Sequence, residues 1–310
     1  MNKHFQQAGF NKSFHKIGII GRHHQTSLTD TVLSLISHLF QEKVAFLIEE
    51  ETAKDAHIPD KFNTQLIQKA PLEILKKSCD LIITVGGDGN FLRTARMFYE
   101  EQIPIIGINK GQLGYLTDIH PQGISALSKI IQGEYTTEKR FLIQSQVYRE
   151  DKKIASHIAL NDIVLFPGEM AQMIEFELHI DQKFVYRQRS DGLILSTPTG
   201  STAYSLSAGG PIVHPAVPAF VLTPMMPHSL TSRPIVISAE ASIDIYLSEA
   251  SKAHPRLNHD GQENIALKIG DRVHLEKAPK QTTLVHPTGH DYYSALRSKL
   301  NWSQQPIFRG

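Results

Sequence analysis

The chain has 310 residues, 41% hydrophobic and 20% charged, with 32 basic against 31 acidic side chains and a net charge of +1. That length supports two cores rather than one, and so even a charge balance leaves no footprint for sequence-independent nucleic-acid binding. Cys79 is the lone cysteine, which excludes an intrachain disulfide and a cysteine zinc site and suits a reducing compartment.

Residues 1–15 carry no period and read as a loosely ordered leader. They lack a signal-peptide core, and no apolar run in the chain approaches the ~18 residues of a membrane span. The expectation is therefore a cytoplasmic protein without a membrane or nucleic-acid partner. Lys16 to Gly21 predicts the first strand, Thr29 to Phe40 a helix through Val32, Leu33, Leu35, Ile36 and Leu39, and Val44 to Ile48 a second strand. Thr52 to Gln65 is mostly polar and reads as a loop, followed by a short helix containing Leu72, Ile74 and Leu75.

Leu81 to Val85 is a short, largely β-branched run that meets Gly86-Gly87-Asp88-Gly89 before Phe91, Leu92, Ala95 and Phe98 recur at helical spacing. Strand, glycine turn and helix in that order let main-chain N–H groups converge on an anion. A carboxylate among such groups would repel phosphate. Asp88 therefore suits holding a metal, binding a hydroxyl or taking a proton, unless it is only the N-cap of the helix. Pro104 to Ile108 adds another buried strand, and Asn109 to Leu116 a second glycine-containing segment at a strand end.

From about Arg140 the texture becomes alternating and β-rich, with strands expected at Phe141 to Tyr148, Ala159 to Leu165, Ile174 to Ile180, Phe184 to Arg189, Leu193 to Ser196, Ile235 to Ile237, Ile243 to Leu247, Val273 to Glu276 and Thr283 to His286. Asn161 and Asp162 interrupt one of these with polar groups on opposite faces, costly unless something pairs with them. Of the 22 residues from Ser190 to Pro211, twelve are Ser, Thr or Gly, a density of hydroxyls and bare backbone suited to a polyhydroxylated, phosphorylated ligand, with Tyr204 as a flat surface. Asp291 to Leu300 returns to helical spacing. The 16 histidines form no His-Glu-x-x-His cluster and read as surface or packing residues.

The fold expected is an α/β N-terminal domain with a Rossmann-like parallel sheet over residues 16–139 and a mainly antiparallel β domain over 140–288. A C-terminal helix and tail, 289–310, return to the first domain.

Gly86-Gly87-Asp88-Gly89-Asn90, Asn161-Asp162, the Asp191 to Pro211 stretch, Thr223 to Leu230 with Arg233-Pro234, His286-Pro287 and Asp291-Tyr292-Tyr293 together resemble the NAD kinase family, over about residues 16 to 303. Gly-Gly-Asp-Gly alone is shared with diacylglycerol, sphingosine and phosphofructokinases. Its combination with Thr197 to Tyr204 in order is far more specific. The resemblance implies transfer of a phosphoryl group from ATP to the 2′-hydroxyl of the adenosine ribose of NAD, giving NADP, with a divalent cation, most simply Mg²⁺. It implies that Asp88 is the proton acceptor, with Gly87 and Gly89 beside it on the dinucleotide. Asn161 and Asp162 hold ligand hydroxyls. Gln172, Arg189, Asp191, the loop residues Thr202, Ala203, Tyr204, Ser205, Leu206 and Ser207, and Gln262 are further contacts. No metal ligands are assigned. Homo-oligomers, tetramers or dimers, are implied as well. Asn90 stands where many relatives carry Thr, and Asp162 where Glu is commoner. A non-catalytic NAD- or NADP-binding regulator, or a lipid kinase of the related fold, are the alternatives, and several acids beside phosphates favour the kinase.

Overall fold

The computed structural model describes residues 13–21, 29–58, 66–109, 114–168, 172–248 and 253–302. Most of the leader, residues 110–113 of the second glycine segment and residues 303–310 of the tail lie outside them. The chain divides into two compact units, residues 1–139 with 282–310, and residues 140–281.

In chain order the elements are β1 (Lys16–Gly21), α1 (Thr29–Gln41), β2 (Ala45–Glu49), α2 (Glu50–Asp55), β3 (Ile67–Ala70), α3 (Leu72–Ser78), β4 (Leu81–Val85), α4 (Asp88–Met97), β5 (Ile105–Ile108) and α5 (Ala126–Ile131). Next come β6 (Tyr135–Arg149), β7 (Lys152–Ala159), β8 (Asp162–Phe166), β9 (Ile174–Ile180), β10 (Lys183–Ser190), β11 (Gly192–Ser196), α6 (Tyr204–Ser207), β12 (Ala219–Met225), β13 (Ile235–Ser238), β14 (Ile243–Leu247), β15 (Arg256–His259), β16 (Glu263–Ala266), β17 (Arg272–Pro287) and α7 (Tyr292–Leu300).

The first unit is a parallel sheet in the order β3-β2-β1-β4-β5, extended by the end of β17 through Leu284 beside Ile105. Alternation along the strands feeds both faces. Ile17, Ile19, Ile83 and Val85 share a core with Val32, Leu35 and Leu39 of α1 and Leu127 and Ile130 of α5. On the other face Gly18 lies under α3, where a Cβ would stand 3.2 Å from Leu75 and 2.6 Å from Ile82. Helices thus cover the sheet on both sides, and the β4-to-α4 turn falls at the carboxyl end of a central strand, where open α/β sheets take their ligands.

In the second unit the strands pair antiparallel. One sheet runs β10-β9-β14-β17, with β6 between β17 and β7, and the other runs β13-β12-β11-β8-β15-β16. The inward residues of both sheets form one core, among them Phe176 and Leu178 of β9, Leu193 and Leu195 of β11, Phe220 of β12 and Ile243 of β14. Phe141 of β6 meets Phe220 edge to face at 5.6 Å.

Several elements differ from the sequence reading. The strands β3, β7, β12, β15 and β16 and the helices α2, α5 and α6 were not expected, and the two strands expected near the end are one, β17. Asn161 and Asp162 do not interrupt a continuous strand. The chain breaks at Leu160 and Asn161, between β7 and β8, and β8 starts at Asp162.

Candidate active site

In the first unit the site is built on the turn after β4. All five β4 residues are buried. The Gly86 N–H donates to Ile108 O at 2.9 Å, and its φ of 149° lies where a side chain is strained. Gly87 has open space where a Cβ would be, and α4 starts with Asp88 in its first turn. Asn90, buried, does not reach outward. Its Nδ2 donates to Thr84 Oγ1 at 2.7 Å and Val85 O at 3.1 Å, while Thr94 Oγ1 donates to Asn90 O, so the residue that departs from the family pattern fastens the helix start to the end of the strand.

The Asp88 carboxylate accepts three donors from the segment following β5. Tyr115 N–H lies 2.9 Å from Oδ2, Leu116 N–H 3.1 Å and the Thr117 hydroxyl 3.2 Å from Oδ1. A Cβ at Gly114 would fall 2.0 Å from Oδ1. The close approach made by this glycine is thus to the Asp88 carboxylate.

In the second unit a cavity of about 610 Å³ brings together Asn161, Asp162, Gln172, Asp191, Ala203 and Tyr204, all singled out from the sequence. Val164, Phe166, Pro167 and Met225 supply an apolar wall, suited to a flat ring with a few polar anchors. The Asn161 Oδ1 is buried with no hydrogen-bond partner among the described residues, an acceptor that a ligand N–H would satisfy. Burial, reinforced by the nearby Asp260 carboxylate, raises the Asp162 pKa to about 7.

Asp260, Asn258 and Gly261 also line this cavity and were not expected. The Asp260 carboxylate accepts N–H groups of Leu160 at 3.1 Å, Asn161 at 2.8 Å and Asp162 at 3.3 Å. It thereby closes the break between β7 and β8 and sets the direction of both anchors. A signal existed. Asp260-Gly261, with φ of 52° and 69°, is the Asp-Gly pair that marks a hairpin, here between β15 and β16.

The remaining expected residues lie elsewhere in this unit. Ser205 is buried, its hydroxyl 2.8 Å from Thr223 Oγ1, and the Thr202 hydroxyl donates to Thr199 O at 3.2 Å. Leu206 is half-buried, and Ser207 and Gln262 are exposed. Arg189 lines a second groove of about 580 Å³ with His228, Ser229 and Arg233. Much of the hydroxyl-rich stretch is spent internally: Thr197 Oγ1 donates to Leu160 O at 2.6 Å, and Ser201 Oγ donates to Pro198 O at 2.7 Å.

Among the described residues, Asp118, His286 and His290 bring three metal-capable atoms within 4.8 Å of one another. The two imidazoles stack, with centroids 4.0 Å apart and planes 20° from parallel. Their in-plane nitrogen lone pairs therefore run side by side instead of converging on an ion. Asp118 Oδ2 accepts from Nδ1 of both rings, with His290 at 3.2 Å, and His286 Nε2 lies 3.5 Å from Glu138 Oε2. This is a charge cluster, and it draws together two of the histidines read as surface or packing residues.

Comparison with known proteins gives a consistent result. The ATP-NAD kinase N-terminal domain family matches residues 17–135, and the ATP-NAD kinase C-terminal domain family matches residues 160–287. An NAD kinase of Saccharophagus degradans is 44% identical over 291 residues, 94% of this chain and 97% of the relative. One of Coxiella burnetii is 44% identical over 293 residues, covering 94% and 96%. A crystal structure of yeast NADH kinase complexed with NADH aligns with a TM-score of 0.86 at 26% identity, over 96% of this chain and 91% of that one. An NAD kinase from Archaeoglobus fulgidus in complex with ATP shares the fold at a TM-score of 0.69. With both domain families matched in order and the relatives aligned nearly end to end, the chain belongs to the NAD kinase family.

Proposed function

We propose that the chain is an NAD kinase that transfers the terminal phosphoryl group of ATP to the 2′-hydroxyl of the adenosine ribose of NAD, giving NADP. The observation that carries this reading is Asp88, a carboxylate held by three donors in a glycine turn otherwise suited to anions. A ribose hydroxyl is a poor nucleophile at neutral pH, and a positioned carboxylate that takes its proton as the bond to phosphorus forms contributes ~10²–10⁴ in rate. The remaining barrier is one of positioning and charge, to which the N–H groups around Gly87 and Gly89 contribute.

The cavity lined by Asn161, Asp162, Asp191 and Tyr204 is assigned to NAD. Its apolar wall takes the adenine, and its acids and amide take hydroxyls and the exocyclic amine. Gln172, Arg189, Gln262 and the loop from Thr202 to Ser207 are assigned to the same substrate. Mg²⁺ enters as the ATP complex, since hard cations of this kind bind through substrate phosphates and water more than through dedicated protein cages. The working compartment is the cytoplasm, consistent with the single cysteine, Cys79, a thiol whose pKa burial pushes up to about 12. Self-association is supported by large apolar side chains exposed on the second unit, Phe184 and Val185 on β10 and Val236 on β13, both outermost strands of their sheets. Purified protein with NAD, ATP and Mg²⁺ should form NADP, read by a dehydrogenase specific for it; no NADP under these conditions would overturn the reading.

A further inference from the structure

Each carboxylate oxygen offers about two acceptor directions. Among the described residues the donors to Asp88 are unequally shared: Oδ1 accepts both Leu116 N–H and the Thr117 hydroxyl, while Oδ2 accepts Tyr115 N–H alone. Gly114 also abuts Oδ1 so closely that no side chain fits there. We infer that Oδ2 of Asp88 is the oxygen that takes the substrate proton, and that Thr117 is the positioning residue that fixes this choice by filling the last acceptor direction of Oδ1. The inference rests on the reading of Asp88 as the proton acceptor.

Thr117 is itself oriented. It is fully buried, and Asn109 Nδ2 donates to its Oγ1 at 2.8 Å. An oxygen that already accepts from Asn109 is best placed to donate its proton onward, so the hydroxyl hydrogen is committed to Asp88. The threonine methyl is wedged against the backbone of β5, where a Cβ on Gly107 would stand 2.6 Å from Thr117 Cγ2. The side chain therefore cannot turn its hydroxyl elsewhere without losing that contact. In the reaction the 2′-oxygen bonds to the terminal phosphorus and its proton passes to Oδ2. The bond from phosphorus to the bridging oxygen breaks, and that electron pair leaves with ADP.

Thr117→Val keeps the branched shape and removes only the hydroxyl. Its kcat is expected to fall about tenfold, the size associated with one hydrogen bond to a charged group. The KM for NAD and for ATP should stay within about twofold, and Thr117→Ser should restore most of the turnover. Gly114→Ala, which drives a methyl into Oδ1, should also lower kcat with little change in KM. In an Asp88→Asn background Thr117→Val should cost nothing further, because the group it positions is gone. Wild-type kcat in both Thr117→Val and Gly114→Ala, or a Thr117→Val loss that persists undiminished beside Asp88→Asn, overturns the positioning role. Near-normal turnover in Asp88→Asn alone overturns the proton-acceptor reading instead. Cooperative melting of each variant separates these outcomes from misfolding. If Thr117→Val fails to melt cooperatively, Gly114→Ala and Thr117→Ser decide alone.

Discussion

Asp162 shows how one side chain can link stability to the pocket it lines. Burial, aided by the Asp260 carboxylate, raises its pKa to about 7. The folded chain therefore holds a proton that the unfolded chain releases near the ordinary carboxylate value of ~4. Asp162 stabilises fully below ~4, and that contribution is lost as pH rises to about 7. Asp162→Asn should abolish this slope and raise the melting temperature at pH 8 relative to wild type; an unchanged pH profile of melting would contradict the assignment. Asp88 belongs to a different class, held by donors at both oxygens and proposed above as the proton acceptor. Asp88→Asn should lower kcat by ~10²-fold or more while NAD affinity, measured by calorimetry, changes little. The sequence singled out both carboxylates, Asp88 by its glycines and Asp162 by its place beside Asn161, and the structure puts the first in the turn after β4 and the second in the cavity lining. Asp260 carried only the Asp-Gly signal of a hairpin; that it bonds three N–H groups about 100 residues earlier in the chain is something no local pattern reports.

At the scale of elements, the connection between β7 and β8 is held from two sides, by Asp260 and by the loop after β11. Gly200 packs so tightly there that a Cβ would sit 2.1 Å from Asn161 O. Gly200→Ala should therefore shift the Asn161 backbone, lower the melting temperature by several degrees and raise the KM for NAD more than it lowers kcat. Equal effects on both constants would place the damage outside the pocket. The elements that sequence reading found were those whose own residues carry a period, such as α1 with its apolar face and β9 with Ile174, Phe176 and Leu178 turned inward. Those it missed depend on neighbours. β12 contains Pro224, which argues against a central strand. β13 pairs only with Ala219 to Leu222, so at Pro224 that side of the strand asks for no N–H. β15 and β16 are four residues each and mostly polar or exposed, and only pairing, of β15 with β8 and of β16 with β15, makes them strands.

For the whole molecule, assembly and pH stability are the measurable quantities. Phe184 on the outermost strand β10 is 59% exposed, and Leu230 93%. Light scattering across a dilution series should find a homo-oligomer whose loss tracks loss of turnover, and Phe184→Asp should lower the mass; a fully active monomer would remove the idea. The Asp118 cluster governs the alkaline side of stability in the first unit. Burial alone would lower the His286 pKa, but the carboxylates of Asp118 and Glu138 more than reverse this and raise it to about 9. Burial would likewise raise Asp118, and His286 with His290 instead hold it well below the usual carboxylate range. His286 thus contributes fully below its ordinary value of ~6.5, and the contribution is lost as pH rises through about 9, while that of Asp118 is present above ~4. His286→Gln should flatten the fall in melting temperature between pH 7 and 9, with His290 and Glu138 left to face the change.

The first unit is also discontinuous in the chain, since its sheet includes Leu284 beside Ile105 and its charge cluster joins Asp118 to His286. During synthesis the ribosome releases residues 1–139 long before the strand and helix that complete them. The second unit, continuous from 140 to 281, can close first, although it is translated later. An N-terminal domain normally folds ahead of the domains translated after it. Here the order is inverted: the unit that holds Asp88 must wait, partly assembled and with the flank of β5 unpaired, until the segment around Leu284 is available. A chain truncated after residue 281 should accordingly protect the second unit from protease and leave the first open to it, which makes the segment around Leu284 a checkpoint for the turn that holds Asp88.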